Sequence, residues 1–168
     1  MNRRVFFTLP LLLLSLLPHT LHAQARLAIY GAVGGEQSGL RNQPWTLAEN
    51  AGFYVGLNQR GPLRLSIDAR ADLSSNANSG LLGPRLALRF PALPVKPYAE
   101  ILIGFVDFSR TAAGLKAPNQ FSPRAVFGAD TSILPHLDWR IADFSYALNN
   151  SSNGDQAKTL STGLVFRL

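Results

Sequence analysis

Along residues 63–73 a polar or ionisable side chain falls at every second position. Arg64, Ser66, Asp68, Arg70 and Asp72 alternate with Leu63, Leu65, Ile67, Ala69, Ala71 and Leu73. Arg85, Arg89, Glu100, Arg124, Asp130, Arg140 and Arg167 hold the same polar phase in other alternating stretches. Charges of both signs on one face can form arginine–carboxylate pairs, among the stronger side-chain hydrogen bonds. Such an array can serve as a gate or narrow ion path, or it can serve structure alone. The structural role is the expectation, because an internal charge left without a partner is costly.

Other chemistry is sparse. Past residue 25 the one histidine is His136, in a tight turn with Ser132 four residues before it. Catalysis there would need a nucleophile beside the imidazole. The chain has no cysteine, which removes thiolate metal sites and thiol nucleophiles. The acidic residues are dispersed, and Asp68 with Asp72 is expected to face arginine rather than calcium. Gly31, Gly34 and Gly35 lack the spacing of a phosphate loop and read as relief of crowding in a strand. No catalytic residue, cofactor or metal is predicted. Residues 149–154 read as a flexible Asn-rich loop. Trp45, with Leu40 and Leu47 nearby, is expected to pack on its loop or a rim, the other reading being a contact patch.

The elements that must position these charges have a period of two. On a helix the charges would scatter round the cylinder; on a strand they share one face. Eight stretches qualify: 27–35, 51–57, 63–73, 82–90, 98–108, 124–134, 137–147 and 158–168. In the seventh, parity becomes ambiguous at Asp143, which predicts a bulge. Pro84 cannot donate a ladder bond and predicts a bulge or a position above the lipid. The odd connections are mostly the longer, more polar ones: 36–50, 109–122 and 148–157 are long and 74–80 is a medium loop, whereas 58–61 and 134–136 are tight turns and 91–97 is a proline-studded turn less tidy than the rule.

The chain starts with Asn2-Arg3-Arg4, an apolar run from Val5 to Leu17 and a small-x-small pattern at Ala23-Gln24-Ala25. This predicts an export signal over residues 1–25, cleaved after Ala25 or else after Ala23, and a single domain over 26–168. Removing Arg3 and Arg4 lowers the formal charge from +6 to +4. With no run of like charge, nucleic-acid binding is not expected. No later segment is long enough for a membrane helix, so any membrane crossing must use a closed barrel.

Alternation alone leaves two environments open. A soluble lipocalin-like barrel would turn the apolar face inward to hold a ligand; a membrane barrel would turn it to lipid. Two features decide for the membrane. The charges lie mid-strand with mixed sign, as in a filled lumen. Aromatics also sit near strand ends, at Phe90, Tyr98, Phe105, Phe108, Trp139, Phe144, Tyr146 and Phe166, as in interfacial girdles. The predicted fold is all-β, an eight-stranded antiparallel up-and-down transmembrane barrel. Its lumen is wide enough only for side chains, so a porin-like water channel is not expected.

With these features the chain resembles the OmpA-type and OmpX-type outer-membrane barrels. The resemblance rests on Pro97-Tyr98-Ala99-Glu100 followed by Gly104-Phe105, and on the last strand, Leu160-Ser161-Thr162-Gly163-Leu164-Val165-Phe166-Arg167-Leu168. That strand looks like the terminal assembly signal, although the family usually ends in Phe and this chain ends in Leu168 with Phe166 two residues earlier. The resemblance covers the barrel alone, so no cell-wall tether is implied. It implies the outer membrane of a Gram-negative-type bacterium. The implied partners are outer-membrane lipid and, during biogenesis, the barrel assembly machinery, with the barrel a monomer. The expected role is non-enzymatic, in envelope integrity or surface interaction through the outward loops, with the surface ligand unidentified. Lipid A-modifying barrels of this size rely on histidine and serine at the outer face. They supply the enzymatic alternative, which the placement of His136 in a predicted periplasmic turn opposes.

Overall fold

The computed structural model describes residues 27–37, 44–90, 93–108, 119–149 and 156–168. The expected signal segment, Leu40 and most of the Asn-rich loop lie outside them.

The described regular elements are all strands: β1 (Leu27–Gln37), β2 (Thr46–Arg60), β3 (Leu63–Ser74), β4 (Ala77–Leu88), β5 (Val95–Phe108), β6 (Gln120–Phe121), β7 (Arg124–Leu134), β8 (Leu137–Ala147) and β9 (Lys158–Arg167). They pair in the order β4-β3-β2-β1-β9-β8-β7-β5-β6, and β4 also pairs with β5, which closes the sheet. Every pairing is antiparallel. The two-residue β6 and β7 share one place beside β5. Phe105 faces Phe121 and Leu102 faces Arg124, so the register carries straight through Ser122-Pro123. The Ser122 amide donates to Gly104 O at 2.9 Å across the break. The nine strands therefore make an eight-position barrel, as the alternation predicts.

Several strands run past the apolar stretches that betray them. β1 and β2 extend to Gln37 and from Thr46, so Glu36 and Asn50 belong to a hairpin, not to a loop spanning 36–50. The expected medium loop at 74–80 shrinks to a turn, with Ser74 Oγ accepting from the Ala77 amide at 3.0 Å. The first short turn sits at Gly61-Pro62, where Gly61 takes a φ of 58° that favours glycine. Periodicity of apolar residues stops where the membrane-facing band stops; backbone pairing does not.

Pro84 makes no bulge. It stands opposite Ile67 in an unshifted β3–β4 register. On the other side, the β4–β5 ladder resumes in the same register after skipping Gly83 and Pro84. The expected bulge in β8 is present. Ala129 pairs Ala142 and Asp130 pairs Arg140, so Ile141 is the extra residue. The shift repeats against β9, between Arg140 and Asp143. It lets Arg140 and Asp143 both point inward although they are three residues apart, and both are buried.

Large apolar side chains stand on the outer surface, among them Ile29, Leu82, Ile103, Phe127 and Leu164, each roughly half exposed. The buried positions on the same strands carry Asp68, Arg70, Arg85, Glu100 and Arg140. This polarity inverts that of a water-soluble barrel. Tyr98 is 4% exposed and points into the lumen, which corrects its place among the girdle aromatics. Phe90, Phe105, Trp139, Phe144 and Phe166 do face outward. Gly34 lies so close to Leu160 O that a Cβ would collide, whereas Gly31 faces open space and relieves nothing. Trp45 lies against Gly35 at the loop end of β1.

The bulge generates a test. Deleting Ile141, the extra residue, leaves Arg140 and Asp143 two positions apart, so both stay inward on a straight strand. Deleting Ala69 from β3, whose register is unshifted there, instead makes Asp68 and Arg70 adjacent and sends one of them to the lipid face, at about 2–4 kcal/mol for an arginine near mid-membrane. A folded, unboiled band on SDS gels is expected for the Ile141 deletion and its loss for the Ala69 deletion; loss for both would show that the bulge does not set the inward phase.

Candidate functional site in the barrel lumen

The sequence places mixed charges on the inner face of a closed tube, and closure brings them together. The lowest free energy inside so narrow a lumen requires each charge to find a counter-charge or donor. Arg70 on β3 reaches across to β8, its two terminal nitrogens each 2.8 Å from an Asp143 carboxylate oxygen. The same guanidinium lies 3.4 Å from Glu100 on β5, and its Nε donates to Tyr30 Oη at 3.1 Å. Tyr30 in turn donates a hydrogen bond from its hydroxyl to Asp68 at 2.8 Å. Tyr98 donates to Asp143 at 2.5 Å.

Two further arginines complete this layer. Arg85 on β4 joins Glu100 at 3.0 Å and Asp130 on β7 at 2.9 Å. Arg140 on β8 meets Asp130 at 3.2 Å and Asp143 at 3.5 Å. Their planar heads also lie over tyrosine rings: Arg140 is 4.0 Å from the Tyr30 centroid, and Arg85 is 4.4 Å from Tyr54 and 4.2 Å from Tyr98. Cation–π attraction of this kind grows when water is excluded. The Tyr30 and Tyr98 rings are accommodated by glycine. Gly52 is the cross-strand partner of Tyr30 and Gly128 that of Tyr98, and a Cβ at either would strike the ring. Glycine here is a packing requirement set by the facing tyrosine.

Above and below this middle layer sit smaller groups. Toward the loop end, Arg124 pairs Asp72 at 3.1 Å and lies 3.9 Å from Glu36, while Asn50 donates to Ser161 Oγ at 2.9 Å. At the turn end, Lys96 and Arg167 both contact Asp138 at 2.8 Å. Ser132 Oγ accepts from Lys96 at 2.6 Å and donates to Asp138 at 2.9 Å.

Of the charges expected in the lumen, Asp68, Arg70, Asp72, Arg85, Glu100, Arg124, Asp130 and Arg140 are buried there. Arg64 and Arg167 are half-buried at the turn end. Arg89 is the exception: it is exposed at the end of the tube, and no ion pair is found for it among the described residues. Four charged participants escaped sequence reading. Asp143 sat beyond the parity break; Glu36 sat in a supposed loop; Asp138 and Lys96 lie at strand starts, where alternation is too short to read. His136 is exposed, with Nδ1 3.2 Å from Arg167 O, and Ser132 faces Lys96 and Asp138 rather than the imidazole. Among the described residues no three His, Cys, Asp or Glu side chains converge as a metal-binding set. Phe166 and Leu168 of the expected assembly signal both point outward.

No protein-family model matches the chain, and no curated protein matches it. Solved structures do. Neisserial surface protein A superposes with a TM-score of 0.55 at 15% identity, covering 85% of this chain and 96% of that one. The outer membrane enzyme PagL gives 0.58 at 18% identity, covering 84% and 99%. A de novo designed transmembrane β-barrel gives 0.56 at 16% identity, covering 86% and 96%. The fold is that of a small outer-membrane β-barrel. At these identities the likeness extends to the fold alone.

The network predicts its own sensitivity. Arg140→Met leaves Asp130 and Asp143 each short of a cation and is expected to cost about 3–5 kcal/mol of stability. Arg89→Gln is expected to stay within about 0.5 kcal/mol. Urea unfolding of both variants from detergent micelles checks the contrast; equal effects would contradict the assignment of Arg140 to a paired interior.

Proposed function

We propose that this chain works in the outer membrane of a Gram-negative-type bacterium as a non-enzymatic barrel of the OmpA/OmpX type. In this reading the lumen is a strut, and contribution to envelope integrity or surface interaction runs through the outward loops. The observation that carries it is the bridging of Arg70 on β3 across the lumen to Asp143 on β8, beneath an outer surface of half-exposed leucine, isoleucine and phenylalanine. Side chains joined from opposite walls leave no continuous water path for a solute. The apolar exterior supplies the lipid contact. Outer-membrane lipid is then the permanent partner, the assembly machinery the transient one, and the working unit a monomer.

The enzymatic alternative has one observation beside it, the fold likeness to PagL. It asks for a histidine–serine pair at the outer face. His136 instead lies in the turn between β7 and β8, at the same end as Leu27 and Leu168, whose backbones hydrogen-bond at 2.9 Å.

Expression with the native leader, followed by outer-membrane isolation, tests the main reading. A membrane-fraction band that shifts on boiling in SDS is expected, with no discrete conductance steps in planar bilayers and an unchanged lipid A mass spectrum. A soluble, unshifted band would overturn the membrane placement; regular conductance steps would overturn the strut; a new lipid A species would establish the enzyme.

A further inference from the structure

At the turn end of the barrel a cavity of roughly 310 Å³ opens inside the mouth. That is at the small end of the ~300–1,000 Å³ usual for small-molecule sites. Its charged lining is unequal. Arg64, Arg89, Lys96 and Arg167 contribute four cations against the carboxylate of Asp138, while Arg85 and Asp130, which also border the space, are paired with each other in the middle layer. Cations are in excess.

The pairing pattern concentrates that excess on one side. Lys96 and Arg167 share the single carboxylate of Asp138. Arg89 lines the same space as these two cations. The Nε of Arg167 is buried without a hydrogen-bond acceptor. A cluster of like charges held round a partly enclosed space is unfavourable unless an anion enters it. Between the charges the wall includes Leu27, Tyr54, Leu57 and Ala87, and the aliphatic stems of the arginines add apolar surface.

We propose that this cavity binds an anionic amphiphile, a phosphate monoester bearing a short apolar group. Arginine forks match phosphate oxygens in geometry and charge, and Lys96 adds a mobile point charge. The apolar wall accommodates the attached chain. The site is distinct from the middle charge layer, where the arginines are already engaged by carboxylates and tyrosine rings. It also does not depend on what the outward loops contact.

Calorimetric titration of the full chain, folded in a neutral maltoside detergent, tests the site. The probes are dihexanoyl phosphatidic acid, inorganic phosphate and dihexanoyl phosphatidylcholine. The variants are Arg89→Gln, Arg89→Gln/Lys96→Gln and, as a control of equal charge change at the same end, Arg60→Gln, which does not line the cavity. A heat-shifted band for each variant separates a lost site from a lost barrel. Saturable binding of phosphatidic acid is expected, weakened severalfold by Arg89→Gln and at least ten-fold by the double change, unaltered by Arg60→Gln, and weaker at high salt. Inorganic phosphate binding as tightly would assign the site to free anions; weaker phosphate binding would assign it to the lipid. No saturable binding of either phosphate, equal binding of phosphatidylcholine, or equal weakening by Arg60→Gln would overturn the proposal.

Discussion

Every inward charge in this barrel must meet an opposite charge or a donor from another strand. In the middle of an eight-position barrel, where side chains fill the lumen, there is no room for the water that would otherwise solvate it. This constraint ties the wall together. Arg70 on β3 and Asp143 on β8 come from opposite sides of the tube, so that pair forms only when the sheet has closed, while Arg85 on β4 meets Asp130 on β7 across the single intervening strand β5. The hydrogen-bonded wall and the charged interior are thus conditions for each other.

The same constraint explains the irregularities. Ile141 bulges so that Arg140 and Asp143 can both face inward. Gly52 and Gly128 lack side chains because Tyr30 and Tyr98 occupy their space. Those tyrosines in turn carry hydroxyls that bridge Arg70 to Asp68 and cap Asp143. Pro84 and Pro123 each interrupt a ladder beside β5 without shifting its register, which the remaining wall bonds and the interior pairs on either side can hold. With the inward charges given partners inside, the outer surface is free to be largely apolar, which is what lipid contact requires.

Much of this was legible in the sequence because strand alternation is a local signal. Leu63 to Leu73 announces both faces by itself. The bulge was legible too, as the place where parity failed at Asp143. What alternation cannot convey is partner choice: Arg70 and Asp143 are 73 residues apart, and only closure makes them neighbours. Strand ends were also hidden. Glu36 and Asn50 stand above the apolar band, so their strands continue in polar sequence that reads as loop. Tyr98 was ambiguous for another reason: its parity placed it inside with Glu100, while its residue type suggested an interface. Parity was the better guide, since its neighbours on the strand fix which way it points.

The central claim is that cross-lumen pairs hold the barrel together, and a double-mutant cycle on Arg70 and Asp143 tests it most directly. Arg70→Met, Asp143→Asn and the double variant would be unfolded in urea from the same micelles. The account predicts strong coupling: each single change leaves a buried charge without its partner, so the double variant loses less than the two singles together by at least about 1 kcal/mol. Additivity within about 0.5 kcal/mol would contradict it, and would mean that the wall stands without the strut.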